Sequence, residues 1–185
     1  EQPDDVGFLR DVVGLFAATN EAYGRVDVLV NNAGITVKIP TEEIPLDVWR
    51  NVLDVNITGP FLCAREAIKS MKRTGGGRII NIGSISAKTP RPHGAPYATT
   101  KLALEGLTRS ISLDGREHGI AASIIHLGAT VTGQGFGNSP PSDDYQLVPA
   151  DVARIAVMMA ALPAEATVFD LTVLPVAQPS FIGRG

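Results

Sequence analysis

The order of apolar runs in this chain predicts an α/β fold on a parallel sheet. Three observations carry that expectation. The runs at Val26–Val30, Arg78–Gly83 and Ile120–Leu127 are short, rich in β-branched residues and nearly continuous in apolar character, as in strands buried on both faces. Stretches with apolar residues at helical spacing lie before and between them. Strands that alternate with helices in this way form a parallel sheet.

The elements follow in order. Pro3 suits a first helical position, and Asp4 and Asp5 complement the helix dipole. Val6, Leu9, Val13 and Phe16 then recur at helical spacing, so residues 3–23 are expected as an amphipathic helix. The strand at Val26–Val30 ends in the turn Asn31-Asn32-Ala33-Gly34. A loop with Pro40 and Pro45 leads to a long helix over residues 46–73, stopped by Gly75-Gly76-Gly77. The strand Arg78–Gly83 is followed by a loop holding Pro90, Pro92 and Pro96, and a helix is expected over 97–117. After the strand Ile120–Leu127, residues 132–147 are rich in Gly, Pro, Ser and Asp and are expected as a mobile surface loop. Gly133, Gly135 and Gly137 suggest a lid that orders on binding. A helix over 149–162 and a strand over 168–174 complete the chain, which is expected to form a single domain over 1–185.

Composition narrows the function. Of the 185 residues, 44% are hydrophobic and 19% charged, which is enough apolar material for a core. The net charge of -3 gives no electrostatic reason to expect nucleic acid or an anionic membrane as partner. No segment reads as a membrane-spanning helix. Cys63 is the only cysteine, so no intrachain disulfide forms, which suits a reducing, cytoplasmic setting. His93, His118 and His126 show no metal-ligand spacing, and no metal is expected. No Gly-x-Ser-x-Gly elbow is present to support a hydrolase triad.

The chemistry concentrates where the strands end, the place where ligands bind in a parallel α/β sheet. Gly34, Ser84 and Gly128 follow or end the three strands. Tyr97 lies thirteen residues after Ser84, and Lys101 lies one helical turn after Tyr97. A free tyrosine titrates near ~10. An ammonium beside it should lower that value and make it a usable acid-base group, while a serine hydroxyl holds a carbonyl oxygen. Taken singly, each residue has a plainer reading. Tyr97 and Lys101 suit a helix start, Ser84 a strand-end cap, Asn31 and Asn32 a turn, and Asn56 a kink in the long helix.

Together, Asn31 to Gly34, Asp54-Val55-Asn56, Ser84, Tyr97-x-x-x-Lys101 and Leu127 to Thr132 resemble the short-chain dehydrogenases/reductases of the classical type, over nearly the whole chain. The resemblance implies a doubly wound, Rossmann-like sheet and an oxidoreductase that interconverts an alcohol and a carbonyl with NAD or NADP, the choice between them undecided. It implies Tyr97 as acid-base catalyst and Lys101 as its tuner and ribose ligand. Ser84 would hold the carbonyl, and Asn56 would anchor a water in a proton relay. The cofactor would contact Asn31, Ala33 and Gly34 along its adenosine half, and Leu127, Gly128, Thr130 and Thr132 at its carboxamide. A small-molecule substrate and a homodimer or homotetramer paired through the helices at 46–73 and 97–117 are also implied.

The pattern departs from the family in three places. The Gly-rich phosphate turn and first βαβ unit that open the family's fold find no match here, and Gly24-Arg25-Val26 is no substitute. The residues therefore read as the C-terminal three-quarters of the domain, with the N-terminal strands missing and the strand ending at Asn31 left as an apolar edge. The alternative is a degenerate, non-catalytic binding or regulatory module that needs a partner chain. Leu127 stands where the family usually has proline. Thr172 to Gln178 replaces the family's common Asp-Gly-Gly and resembles the branch acting on small hydroxy acids and aldehydes.

Overall fold

The computed structural model describes residues 3–131, 146–178 and 181–182. Thr132, the lid glycines and most of the expected 132–147 loop lie outside these residues. Five α-helices and four strands alternate along the described chain: α1 (Pro3–Tyr23), β1 (Val28–Asn31), α2 (Leu46–Leu53), α3 (Gly59–Thr74), β2 (Gly77–Ser84), α4 (Ala95–Gly115), β3 (Ile120–Leu127), α5 (Pro149–Ala160) and β4 (Asp170–Val173). The strands form one sheet in the order β1-β2-β3-β4, all parallel. β1 is one edge, with Val28 and Val30 39% and 43% exposed, as the sequence led us to expect.

Side-chain alternation along the strands sorts the core into two layers. Ile79 and Ala122 face the helices α1, α3 and α4, where they pack with Phe16, Ala67, Met71 and Ile111. Ile80, Ile82 and Ile125 face the other way, against Met159, Val152 and Ile155 of α5. Helices on both faces make the sheet doubly wound. The buried stripe of α1 runs through Leu9, Val12 and Phe16 rather than through Val13, which is 44% exposed. Val12 completes the i, i+3, i+7 face that points at α3, and Val13 is rotated off it.

The long helix expected over 46–73 is continuous, but it widens into a π-helical turn at Asp54–Thr58 between α2 and α3. Such turns recur at functional sites, and this one carries Asn56. Helix α3 ends where Gly75 turns left-handed, with φ 88°. At Gly76, with φ 121°, an added Cβ would lie 2.5 Å from the Gly119 carbonyl oxygen, so the chain reversal into β2 requires glycine. Buried Arg78 at the start of β2 donates to the carbonyls of Leu162, Pro163 and Ala166 and so ties β2 to the chain beyond α5.

A buried polar chain crosses the α3/α4 layer. Asn31 at the end of β1 donates from Nδ2 to Asn81 Oδ1 of β2 at 2.8 Å. Asn81 donates to Thr108 Oγ1 of α4 at 2.8 Å, and Thr108 donates to the Leu104 carbonyl at 2.7 Å. Every donor in the series has an acceptor, which is the condition for polar groups to sit in a core without penalty. Asn81→Ala is expected to strand the Asn31 amide and the Thr108 hydroxyl and to cost about 1–3 kcal/mol in urea unfolding. A loss within error of zero would show that the chain does not hold the layer together.

Candidate active site

The carboxyl ends of β1 and β2 and the first turns of α4 converge, and the sequence-expected residues meet there. Ser84 is the last residue of β2 and caps the short 3-10 turn Ile85–Ala87: its Oγ accepts the Ser86 N–H at 3.1 Å. The Ser84 side chain also acts on the Tyr97 phenol, lowering its pKa. Tyr97 is the third residue of α4, so the helix begins two residues before the expected start and places the ring in its first turn. Lys101 follows one turn later, 4% exposed, with Nζ donating to the Ile82 carbonyl of β2 at 2.7 Å and standing 5.5 Å from the Tyr97 ring centroid.

Asn56 acts as a clamp. Its Oδ1 accepts the Ile35 N–H at 2.8 Å, and its Nδ2 donates to the Ile35 carbonyl at 2.9 Å and to Thr100 Oγ1 at 3.0 Å. Thr100 in turn donates to the Tyr97 carbonyl at 2.8 Å. Both amide protons of Asn56 are thereby used inside the protein, and the side chain braces the turn after β1 against α4. Gly34 lies against this brace. A Cβ there would come within 3.4 Å of Asn56 Oδ1 and 3.6 Å of Lys101 Nζ, so the glycine keeps the space beside the ammonium open.

The other expected residues lie at the strand ends. The side chain of Asn31 turns into the core toward Asn81, away from the cleft; Ala33 and Gly34 form the exposed turn beyond it. Leu127 ends β3, and the segment after it is tied to the chain end: Gly128 N–H donates to the Val173 carbonyl, and Ala129 N–H to Gln178 Oε1, each at 2.8 Å. Thr130 donates from Oγ1 to the Gly128 carbonyl. His93 is exposed and has a left-handed backbone, φ 62°; its carbonyl accepts the Ile39 N–H at 3.0 Å.

Electrostatics corrects one expectation. The Tyr97 pKa is raised, because burial of the phenol outweighs the Ser84 hydrogen bond and the charge of Arg91, which both lower it. The Lys101 ammonium is not among these influences, and burial acts on it too, bringing its own pKa down to about 8. Two groups in one dry junction each disfavour their charged forms. Sequence reasoning missed Thr100, Asn81, Thr108 and Arg91. A signal existed for Asn81, an amide inside the run Ile79-Ile80-Asn81-Ile82; the roles of Thr100 and Arg91 depend on tertiary placement.

What the arrangement can do is proton transfer to or from an oxygen held by the Ser84 hydroxyl. Lys101 has three ammonium protons and bonds one carbonyl among the described residues, so two remain for neighbouring hydroxyls beside Gly34.

Comparison with known proteins follows this geometry. The short chain dehydrogenase family model matches residues 2–138. The chain is 43% identical over 129 residues to the uncharacterized oxidoreductase YohF of Escherichia coli, covering 69% of this chain and 51% of that protein. It is 42% identical over 146 residues to a 3-alpha-(or 20-beta)-hydroxysteroid dehydrogenase of Mycobacterium tuberculosis, covering 78% and 52%. The chain thus spans about half the length of the curated relatives it matches. Among solved structures, acetoin dehydrogenase YohF from Salmonella typhimurium superposes with TM-score 0.75 at 32% identity over 86% of this chain and 67% of that one. An alcohol dehydrogenase from Thermococcus sibiricus complexed with 5-hydroxy-NADP gives 0.83 at 26% over 94% and 73%.

The depressed Lys101 pKa has a stability consequence. Between about 8 and 10.5, the unfolded lysine binds a proton that the folded one has lost, so this group's contribution to stability rises with pH across that window, by on the order of 3 kcal/mol. Urea unfolding of the wild type against Lys101→Met should show the rise only in the wild type. Parallel pH curves for the two would contradict the burial of the ammonium.

Proposed function

The chain belongs to the short-chain dehydrogenase family, and from that premise we propose that it is an oxidoreductase that interconverts an alcohol and a carbonyl with NAD or NADP. The observation that carries the reading is the Tyr97 phenol, next to the Ser84 side chain that lowers its pKa and one turn from buried Lys101 at the carboxyl end of β2. The relatives named as dehydrogenases, and the neighbour complexed with an NADP derivative, support the same chemistry.

Bound nicotinamide supplies the hydride acceptor or donor. The chain's own residues handle oxygen and proton. The Ser84 hydroxyl donates to the substrate oxygen and fixes its distance from Tyr97. Tyr97, held protonated at neutral pH by burial, gives its proton to that oxygen in reduction and takes it back in oxidation. Lys101 would hold the ribose hydroxyls and places a positive charge near the developing phenolate. Asn56 and Thr100 position the turn after β1 and the start of α4. Ala33, Gly34, Leu127, Gly128 and Thr130 line the ends of β1 and β3, the cofactor's course in this reading; Asn31 shapes that course from below through Asn81.

The chain is read as one domain that pairs with copies of itself. Leu102 and Leu113 on α4 and Phe61 on α3 are 57%, 61% and 46% exposed, an apolar surface suited to a homodimer or homotetramer. Among the described residues no helix is long and apolar enough to cross a membrane. We assign a cytoplasmic setting on the single free Cys63.

The test is turnover of a panel of small secondary alcohols and their ketones with each nucleotide. Tyr97→Phe is expected to lower kcat by about 10²- to 10⁴-fold while the nucleotide Kd stays within about twofold, since the phenyl ring keeps its packing. Turnover that survives the substitution would remove Tyr97 from the chemistry.

A further inference from the structure

Outside the cleft, three side chains from three elements converge with no counterpart in the chemistry above. His126 of β3 is fully buried, on the face that packs against α4. Its Nδ1 lies 3.2 Å from the Ser84 carbonyl oxygen. A carbonyl only accepts, so Nδ1 carries the proton and the neutral ring presents a lone pair at Nε2. That Nε2 is buried without a hydrogen-bond partner. It faces two further acceptors: Asp170 Oδ1 of β4 at 3.6 Å and Glu105 Oε2 of α4 at 4.0 Å. A buried lone pair aimed at two carboxylates is satisfied by a positive charge between them, either a proton on Nε2 or a bound metal ion.

We propose that Glu105, His126 and Asp170 form a binding site for a divalent first-row transition ion, with zinc the best match to one imidazole and two carboxylates. The three ligand atoms lie within 4.8 Å of one another. An ion bonded at about 2.0–2.2 Å in tetrahedral geometry has ligand atoms about 3.4 Å apart, so small side-chain movements close the set. The surroundings are built for it. The outer oxygen of Glu105, Oε1, is held by Arg109 at 3.0 Å, and that of Asp170, Oδ2, lies 3.9 Å from Lys88; the inner oxygens are left facing the imidazole. Opposite His126 in the register stands Gly83, where a Cβ would sit 2.9 Å from Nδ1, so the missing side chain makes room for the ring. A ligating histidine commonly donates its other N–H to a main-chain carbonyl, which is what His126 does at Ser84. The Glu105 and Asp170 side chains are 17% and 28% exposed, which gives the ion an entry path and a solvent ligand its place. The site is structural: it ties α4 to β3 and β4, and through His126 it steadies the main chain of Ser84.

The test is zinc titration of the purified chain at pH 7.5 in competition with a chromophoric chelator, with the His126 ring nitrogens followed by ¹⁵N NMR. One equivalent should bind saturably, and the Nε2 resonance should move while Nδ1 keeps its proton. Glu105→Gln and Asp170→Asn, which preserve shape and leave the buried histidine in place, should each weaken binding at least about 10-fold. His118→Ala, an exposed histidine away from the cluster, should bind as the wild type does. No saturable equivalent, undiminished affinity in the two carboxylate variants, or an Nε2 resonance indifferent to zinc would each overturn the proposal. The last result would leave the ring as an imidazolium paired with the two carboxylates.

Discussion

The site depends on one constraint: the start of α4 is tied by buried polar contacts to the end of β2 and to the turn after β1. Lys101 reaches under the helix to the Ile82 carbonyl, and Asn56 spans from Ile35 to Thr100. These contacts leave α4 little freedom to slide along the sheet. Because Tyr97 sits one turn before Lys101, fixing the lysine also fixes the phenol against Ser84. The π-helical turn at Asp54–Thr58 belongs to the same constraint, since it carries Asn56 between α2 and α3 with its amide turned into the junction. A regular α-helix through these residues would rotate that side chain relative to the loop it holds.

The junction has an electrostatic cost. Burial lowers the Lys101 pKa to about 8 and raises that of Tyr97, so at neutral pH the tyrosine is neutral while the lysine still mostly carries its charge. This differs from the simpler picture in which a fully charged lysine pulls the tyrosine down. A protonated tyrosine is the form that donates to a carbonyl oxygen, and the half-spent ammonium keeps donors in reserve for hydroxyls. In the proposed reaction a protonated tyrosine suits proton delivery at neutral pH, while the reverse direction gains from alkaline conditions.

The strand runs showed where the sheet ends would lie, because a parallel strand buried on both faces leaves a continuous apolar signature. The spacing of Ser84, Tyr97 and Lys101 located the chemistry because the second and third share one helix. Contacts between elements far apart in sequence were illegible. Asn56 and Thr100 are 44 residues apart, and Asn31 and Asn81 are 50 apart. Asn31 read as a turn former or cofactor contact, yet its amide is buried under the sheet end. His126 lacked metal-ligand spacing for the same reason: Glu105 and Asp170 approach it from another helix and another strand. The pKa of Tyr97 was misjudged because sequence shows which charges are near but not how much water remains.

The most direct measurement is the fate of the carbinol hydrogen. A secondary alcohol carrying deuterium on that carbon is turned over with NAD or NADP, and the reduced nucleotide and the solvent are both analysed. The account predicts that the label appears in the nucleotide and not in the solvent, with the proton alone passing through Tyr97. Label released to water, or no transfer to either nucleotide, would contradict it.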